Sequence, residues 1–169
     1  WIDETSQAGG TRPRLLFSEA TGKGITMAVV SSTESRADQR TIFMRDGIMA
    51  HFSYLSPDGR QLLLAEMGFT GWLPCRLAPF DGSAIGKPVG PDPAQCTSAA
   101  WAPDGTWMYF SANTGGGFHI WRQRFPDGKP EQVTFGAAEE EGIEFAADGR
   151  SFLTSIGKQS VDISQGVTE

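Results

Sequence analysis

The 169 residues include only two cysteines and two histidines. That scarcity leaves little from which to assemble a zinc centre, because His51 and His119 stand alone and no Cys pair has ligand spacing. Cys75 and Cys96 fall on different strands of successive repeats in the alignment below. In the cytosol they would serve as two small buried hydrophobes; an oxidising compartment would allow a bridge, but the alignment favours separate thiols. Basic residues are also short: 14 Lys plus Arg against 20 Asp plus Glu, a net charge of −6. Without a basic cluster there is nothing to release counterions from a phosphate backbone, so nucleic acid is not an expected partner. No run approaches the roughly 20 apolar residues of a membrane-spanning helix, so this segment is not expected to insert. The chain opens on Trp1-Ile2-Asp3, with no initiator Met or signal peptide, and reads as a piece of a longer protein.

Catalytic signatures are missing too. Gly22-Lys23-Gly24, Gly86-Lys87-Pro88, Gly128-Lys129-Pro130 and Gly157-Lys158-Gln159 lack the upstream glycine and following Ser/Thr of a phosphate loop. Gly115-Gly116-Gly117 sits inside an expected hairpin, not between a strand and a helix. There is no Gly-x-Ser-x-Gly elbow. No catalytic residue, metal or cofactor is expected.

What is abundant is turn chemistry, with 21 Gly and 10 Pro, which suits many short strands. Pro57-Asp58-Gly59 returns as Pro103-Asp104-Gly105 and, eroded, as Ala147-Asp148-Gly149; the Asp residues are 46 and 44 apart. That interval marks a tandem repeat. Leu55, Trp101 and Phe145 each lie three places before the Asp. After it come Gln61–Ala65, Thr106–Ser111 and Ser151–Ser155, strand-like in length and side-chain type. An earlier copy is Leu15-Leu16-Phe17-Ser18. Gly-rich or polar turns follow, then third strands opening on Ile25, Trp72, Phe118 and Val161. Asp81-Gly82 and Asp127-Gly128 signal the next hairpins, where Gly accepts the positive φ of a tight turn. Fourth strands span Arg40–Met44, Ala84–Val89 and Pro130–Phe135, and Thr5–Ala8 is a candidate inner strand for the first unit.

Each unit is therefore a four-stranded antiparallel sheet, strands A to D, with two faces that it cannot cover alone. Sheets stacked face to face around an axis solve that problem. The expected fold is all-β: a β-propeller, partial or minimal, with about four blades near 1–46, 47–92, 93–136 and 137–169. Leu55-Ser56-Pro57-Asp58-Gly59-Arg60 and Trp101-Ala102-Pro103-Asp104-Gly105 resemble the Ser-Pro-Asp-Gly signature of TolB-like propellers, relatives of the WD repeats. Met108–Asn113 and Phe118–Trp121 are similar to that class as well. The overall wording is most similar to propellers appended to bacterial serine/threonine kinases. The resemblance implies a binding or sensing module within a larger bacterial protein, in an extracytoplasmic compartment in preference to the cytoplasm. It also leaves open a gating propeller of a prolyl-oligopeptidase-like hydrolase, or a polysaccharide-binding propeller.

Asp58, Asp104, Asp127 and Asp148 are read as turn residues accepting backbone N–H groups, not as catalytic acids. Arg76 and Arg122 are read as blade-edge ion pairs or solvated side chains, and Trp101, Trp107, Trp121, Phe110 and Phe145 as packing between blades. Glu139-Glu140-Glu141 reads as a solvated loop. Strand reversal puts the A–B and C–D turns on one face of the disc and the longer B–C and D–A connections on the other. Variable loops on a rigid scaffold carry binding residues. On that face the alignment superposes His51, Thr97 and Glu141 at the starts of successive inner strands, so the three are expected to line the channel mouth. Arg45, Glu140, Phe69 and Trp72 lie on neighbouring loops. A protein, peptide or glycan partner is expected there. An unclosed ring would expose blade faces and unpaired strands, and self-association is expected to follow.

Overall fold

The computed structural model describes residues 2–5 and 11–158, and every regular element among them is a β-strand. The first blade comprises β1 (Ile2–Thr5), β2 (Thr11–Ala20), β3 (Met27–Ser32) and β4 (Arg40–Phe43). The second holds β5 (Met49–Leu55), β6 (Gln61–Gly68), β7 (Gly71–Trp72), β8 (Arg76–Pro79) and β9 (Lys87–Pro88). The third is β10 (Gln95–Trp101), β11 (Trp107–Asn113), β12 (Phe118–Arg124) and β13 (Pro130–Gln132). The fourth shows β14 (Glu139–Phe145) and β15 (Phe152–Gly157). Pairing within each blade is antiparallel, and a single parallel bridge, Met27 to Met49, joins the first blade to the second. The fold is a partial β-propeller.

Sequence and structure differ locally. The inner strand of the first blade is Ile2–Thr5, earlier than the expected Thr5–Ala8, whose remaining residues lie outside those described, as does Val161. The third strand of the second blade is split: β7 and β8 both pair with β6, with Leu73–Cys75 between them. At Asp81-Gly82 the glycine does adopt φ 74°. At Asp127-Gly128 the glycine answers a different need, since a Cβ there would lie 2.7 Å from Arg124 Cβ. Asp127 itself pairs with Lys87 across the blade boundary.

The aspartates of the triplets do what the turn reading requires. Asp58 Oδ1 accepts the Arg60 N–H (3.1 Å), Asp104 Oδ1 that of Thr106 (2.9 Å), and Asp148 Oδ1 that of Arg150 (2.9 Å). Successive turns also stack, because Gly105 lies against Pro57 and Gly149 against Pro103.

The core is divided into one apolar cluster per blade junction. Val29, Ile42, Leu62 and Leu64 fill the first, and Leu63, Leu77, Met108 and Phe110 the second. Ala100, Ile120 and Ile143, joined by Tyr109, Phe145 and Phe152, fill the third. Neighbouring residues of β6 thus serve opposite junctions, Leu62 and Leu64 backward, Leu63 and Ala65 forward, the period of two that a doubly covered sheet needs. Each fully buried side chain of this size contributes about 1.5–3 kcal/mol. The last junction is thinner, and Leu153 on β15 is 72% exposed.

A second device recurs at the junctions. Ser18 Oγ, on β2, donates to the Ala50 carbonyl at 2.5 Å. Ser111 Oγ, at the same repeat position on β11, donates to the Glu140 carbonyl at 2.6 Å. At the junction between them that position is Ala65, which has no hydroxyl. There a disulfide takes over: Cys75 and Cys96 are joined, with Cα atoms 5.3 Å apart, and Cys96 is the repeat equivalent of Ala50 and Glu140. This corrects the expectation of separate thiols. The two cysteines do lie on different strands of successive blades, but face-to-face packing brings the approach to β8 against the start of β10.

The bridge closes a loop 21 residues long in sequence, which removes about 3 kcal/mol of chain entropy from the unfolded state. Cys75→Ser/Cys96→Ser is expected to lose about that much in denaturant unfolding, and dithiothreitol to shift the wild type but not the variant. Acid sensitivity follows from the turns. Asp58 is held below 3.8 first by the Ser56 hydroxyl, and Asp104 and Asp148 first by the N–H groups of Thr106 and Arg150. Asp38 lies at about 2, held chiefly by the Thr33 N–H with Arg14 assisting. Depressed carboxylates contribute stability that is present above about pH 4 and is lost as pH falls toward 2. Unfolding midpoints measured from pH 7 to 2 should fall in that window, and less steeply in Asp58→Asn/Asp104→Asn/Asp148→Asn.

Candidate functional site

Each of the three longer inner strands carries a β-bulge near its start. Along β5 the register skips between Ala50 and Phe52, leaving His51 unpaired; along β10 it skips between Cys96 and Ser98, leaving Thr97. Along β14 the shift falls between Glu141 and Glu144, so Gly142 and Ile143 together oppose Thr154. Gly142 has φ +77°, which a side chain would strain. A bulge breaks the alternation of side chains and re-aims those beside it. The superposed positions His51, Thr97 and Glu141 are therefore the bulged residues or their immediate neighbour. The junction clamps described above hold the residue just before each.

The bulges border a groove of about 530 Å³ whose walls include Phe52, Tyr54, Trp72, Thr97, Ser98 and Glu141. Gly142 and Ser155 close its fourth-blade side. His51 stands behind the aromatic wall, its ring centroid 5.3 Å from Phe52 and 5.4 Å from Trp72. Phe52 and Trp72 are stacked at 6.4 Å with an interplanar angle of 14°. Thr97 is buried, its hydroxyl 3.3 Å from Ser111 Oγ. Glu141 is exposed. Phe69, on the β6–β7 turn, is 90% exposed.

Arg45 and Glu140 are placed differently from the other expected residues. Arg45 Nη1 donates to Glu66 Oε2 at 2.8 Å, and Arg76 Nε donates to the same oxygen at 2.7 Å. Glu66 is completely buried, and two guanidinium groups balance its charge where solvent cannot. Arg76 is thus an interior anchor, while Arg122 is an edge ion pair with Glu131, its guanidinium 4.6 Å from the Trp107 ring centroid. Glu140 is buried instead of solvated in a loop; its carboxylate lies 2.9 Å from His119 Nδ1 and accepts Thr134 Oγ1 at 2.9 Å. Both groups hold the groove's framework and do not face its space.

Sequence reasoning missed Phe52 and Tyr54. Alternation along 49–55 points to them only if the bulge at His51 is counted, and nothing local announces that bulge. Burial pushes the Tyr54 hydroxyl up; a hydrogen bond with the Ala99 backbone opposes this, and the negative charge of Glu144 adds to it.

Solved structures with the same fold include TolB from Acinetobacter baumannii, 21% identical, covering 88% of this chain and 36% of that one, TM-score 0.69. A protein described as TolB from Agrobacterium tumefaciens is 18% identical and covers 86% of this chain and 51% of that one, TM-score 0.72. A chain of the nidogen/laminin complex is 12% identical over 83% of this chain and 55% of that one, TM-score 0.60. Propellers of a dihydro-haem d1 dehydrogenase and a periplasmic gluconolactonase share the fold too. This chain spans about a third to a half of the length of the TolB structures. No protein-family model and no curated protein matches the sequence.

Thr97 and Glu141 should separate in stability. Thr97→Val removes a buried hydroxyl contact and is expected to cost about 1 kcal/mol. Glu141→Gln is expected to stay within about 0.5 kcal/mol. Urea midpoints of the two variants check both.

Proposed function

We propose that this chain is a non-catalytic propeller module that binds a protein or peptide partner through the groove at the channel mouth. The observation that supports this most directly is the conjunction of three bulged inner strands, clamped from behind, with an aromatic wall left open in front. A rigid frame with open aromatic faces is the arrangement that loses little entropy on binding and gains large contact area. The fold is shared by a chain of the nidogen/laminin complex and equally by a dehydrogenase and a gluconolactonase, so the reading rests on the groove and not on the fold.

The compartment is extracytoplasmic on this reading, because a buried disulfide forms and persists under oxidising conditions. The similarity of the sequence to propellers appended to bacterial serine/threonine kinases extends the reading to a sensor domain of a larger protein.

The reading is tested with a photo-crosslinking residue placed at Phe69 or Glu141, and at Asp104 on the tight-turn face. With the protein expressed in the periplasm of its own host, adducts are expected from the first two positions and lost on Trp72→Ala. Equal adducts from Asp104, or no dependence on Trp72, would sink the assignment.

A further inference from the structure

Glu141 borders the groove, and Glu144 borders the two hollows beside it, which share Tyr54 with the groove. Both residues are exposed, and among the described residues no side chain cation pairs with either. Of the cationic side chains at this end of the blades, Arg45 and Arg76 are engaged with Glu66, while Lys23 and Lys158, on turns of the first and fourth blades, are exposed and do not line the groove. No Lys or Arg lines the groove. The negative charge there is therefore uncompensated, and the walls that face it are the rings of Phe52, Tyr54 and Trp72.

Carboxylates and open ring faces share one complement. A guanidinium or ammonium group is drawn to the negative face of an aromatic ring and to a carboxylate, and a guanidinium can satisfy both at once by stacking and forking. An anionic ligand would meet repulsion from Glu141 and Glu144. A neutral sugar would stack on Trp72 yet leave the charge unanswered. We infer that the groove takes a peptide segment of the partner bearing an arginine or lysine side chain, seated between the Phe52–Trp72 wall and Glu141. Glu144 acts from the Tyr54 side. This inference rests on the groove being the binding site.

The test uses defined probes on the full chain: N-acetylated tetra-arginine amide, the matching tetra-glutamate peptide, and cellotetraose. Each is titrated while the indole N–H resonance of Trp72 is followed, assigned with Trp72→Phe. Tetra-arginine is expected to move that resonance saturably, to weaken on raising salt from 20 to 200 mM, and to lose about tenfold in affinity in Glu141→Gln/Glu144→Gln. Both substitutions lie at exposed positions, and the thermal melt of the double variant checks that it folds. If cellotetraose or tetra-glutamate moves Trp72 as strongly as tetra-arginine, the cationic class is wrong while the groove stands. If tetra-arginine binds equally to the double variant, or moves other resonances only, the inference fails. If no probe perturbs Trp72, the groove and its ligand class fall together.

Discussion

Burial of one blade's flat face by the next is the constraint on which everything else in this molecule depends. A four-stranded sheet of this size has apolar residues on both faces, Leu62 and Leu64 on one side of β6 and Leu63 and Ala65 on the other. Neither face is stable in water without a neighbour, so the chain's stability resides in its junctions and not inside its blades. Each junction is then pinned at the same height on the next inner strand. A serine hydroxyl pins the first and third, and the Cys75–Cys96 bridge pins the second, where alanine replaces serine.

Those pins explain why the candidate site is where it is. They fall on Ala50, Cys96 and Glu140, one residue before the slip in the ladders of β5 and β10 and two before it in β14. A bulge loses a ladder bond, and here the preceding blade supplies a contact close beside it. The groove's walls therefore inherit the rigidity of the junctions. Its charge is set by the same framework, because Glu66 draws Arg45 and Arg76 inward and neither Glu141 nor Glu144 has a cation paired with it.

The parts of this arrangement legible in the sequence are those carried by short-range chemistry. Pro57-Asp58-Gly59 and its copies announce turns because Asp accepts an N–H two residues on, a contact that needs no tertiary partner. The apolar runs beside them announce strands, and the interval between copies announces a stack. Even the superposition of His51, Thr97 and Glu141 follows from counting. Hidden from that counting were Phe52 and Tyr54, displaced by a bulge, and the inward turn of Arg45 and Glu140, whose partners Glu66 and His119 are 21 residues away in each case.

By itself, then, the order of residues determined an all-β repeat, its turn chemistry and its acidic, motif-poor character, since each of these arises from neighbours within a few positions. Tertiary structure alone decided that two cysteines from different blades would meet, that two arginines would pair with one buried glutamate, and that two other glutamates would be left unpaired beside aromatic rings. Those outcomes depend on which faces are pressed together and which groups are thereby removed from water, and no spacing along the chain encodes that.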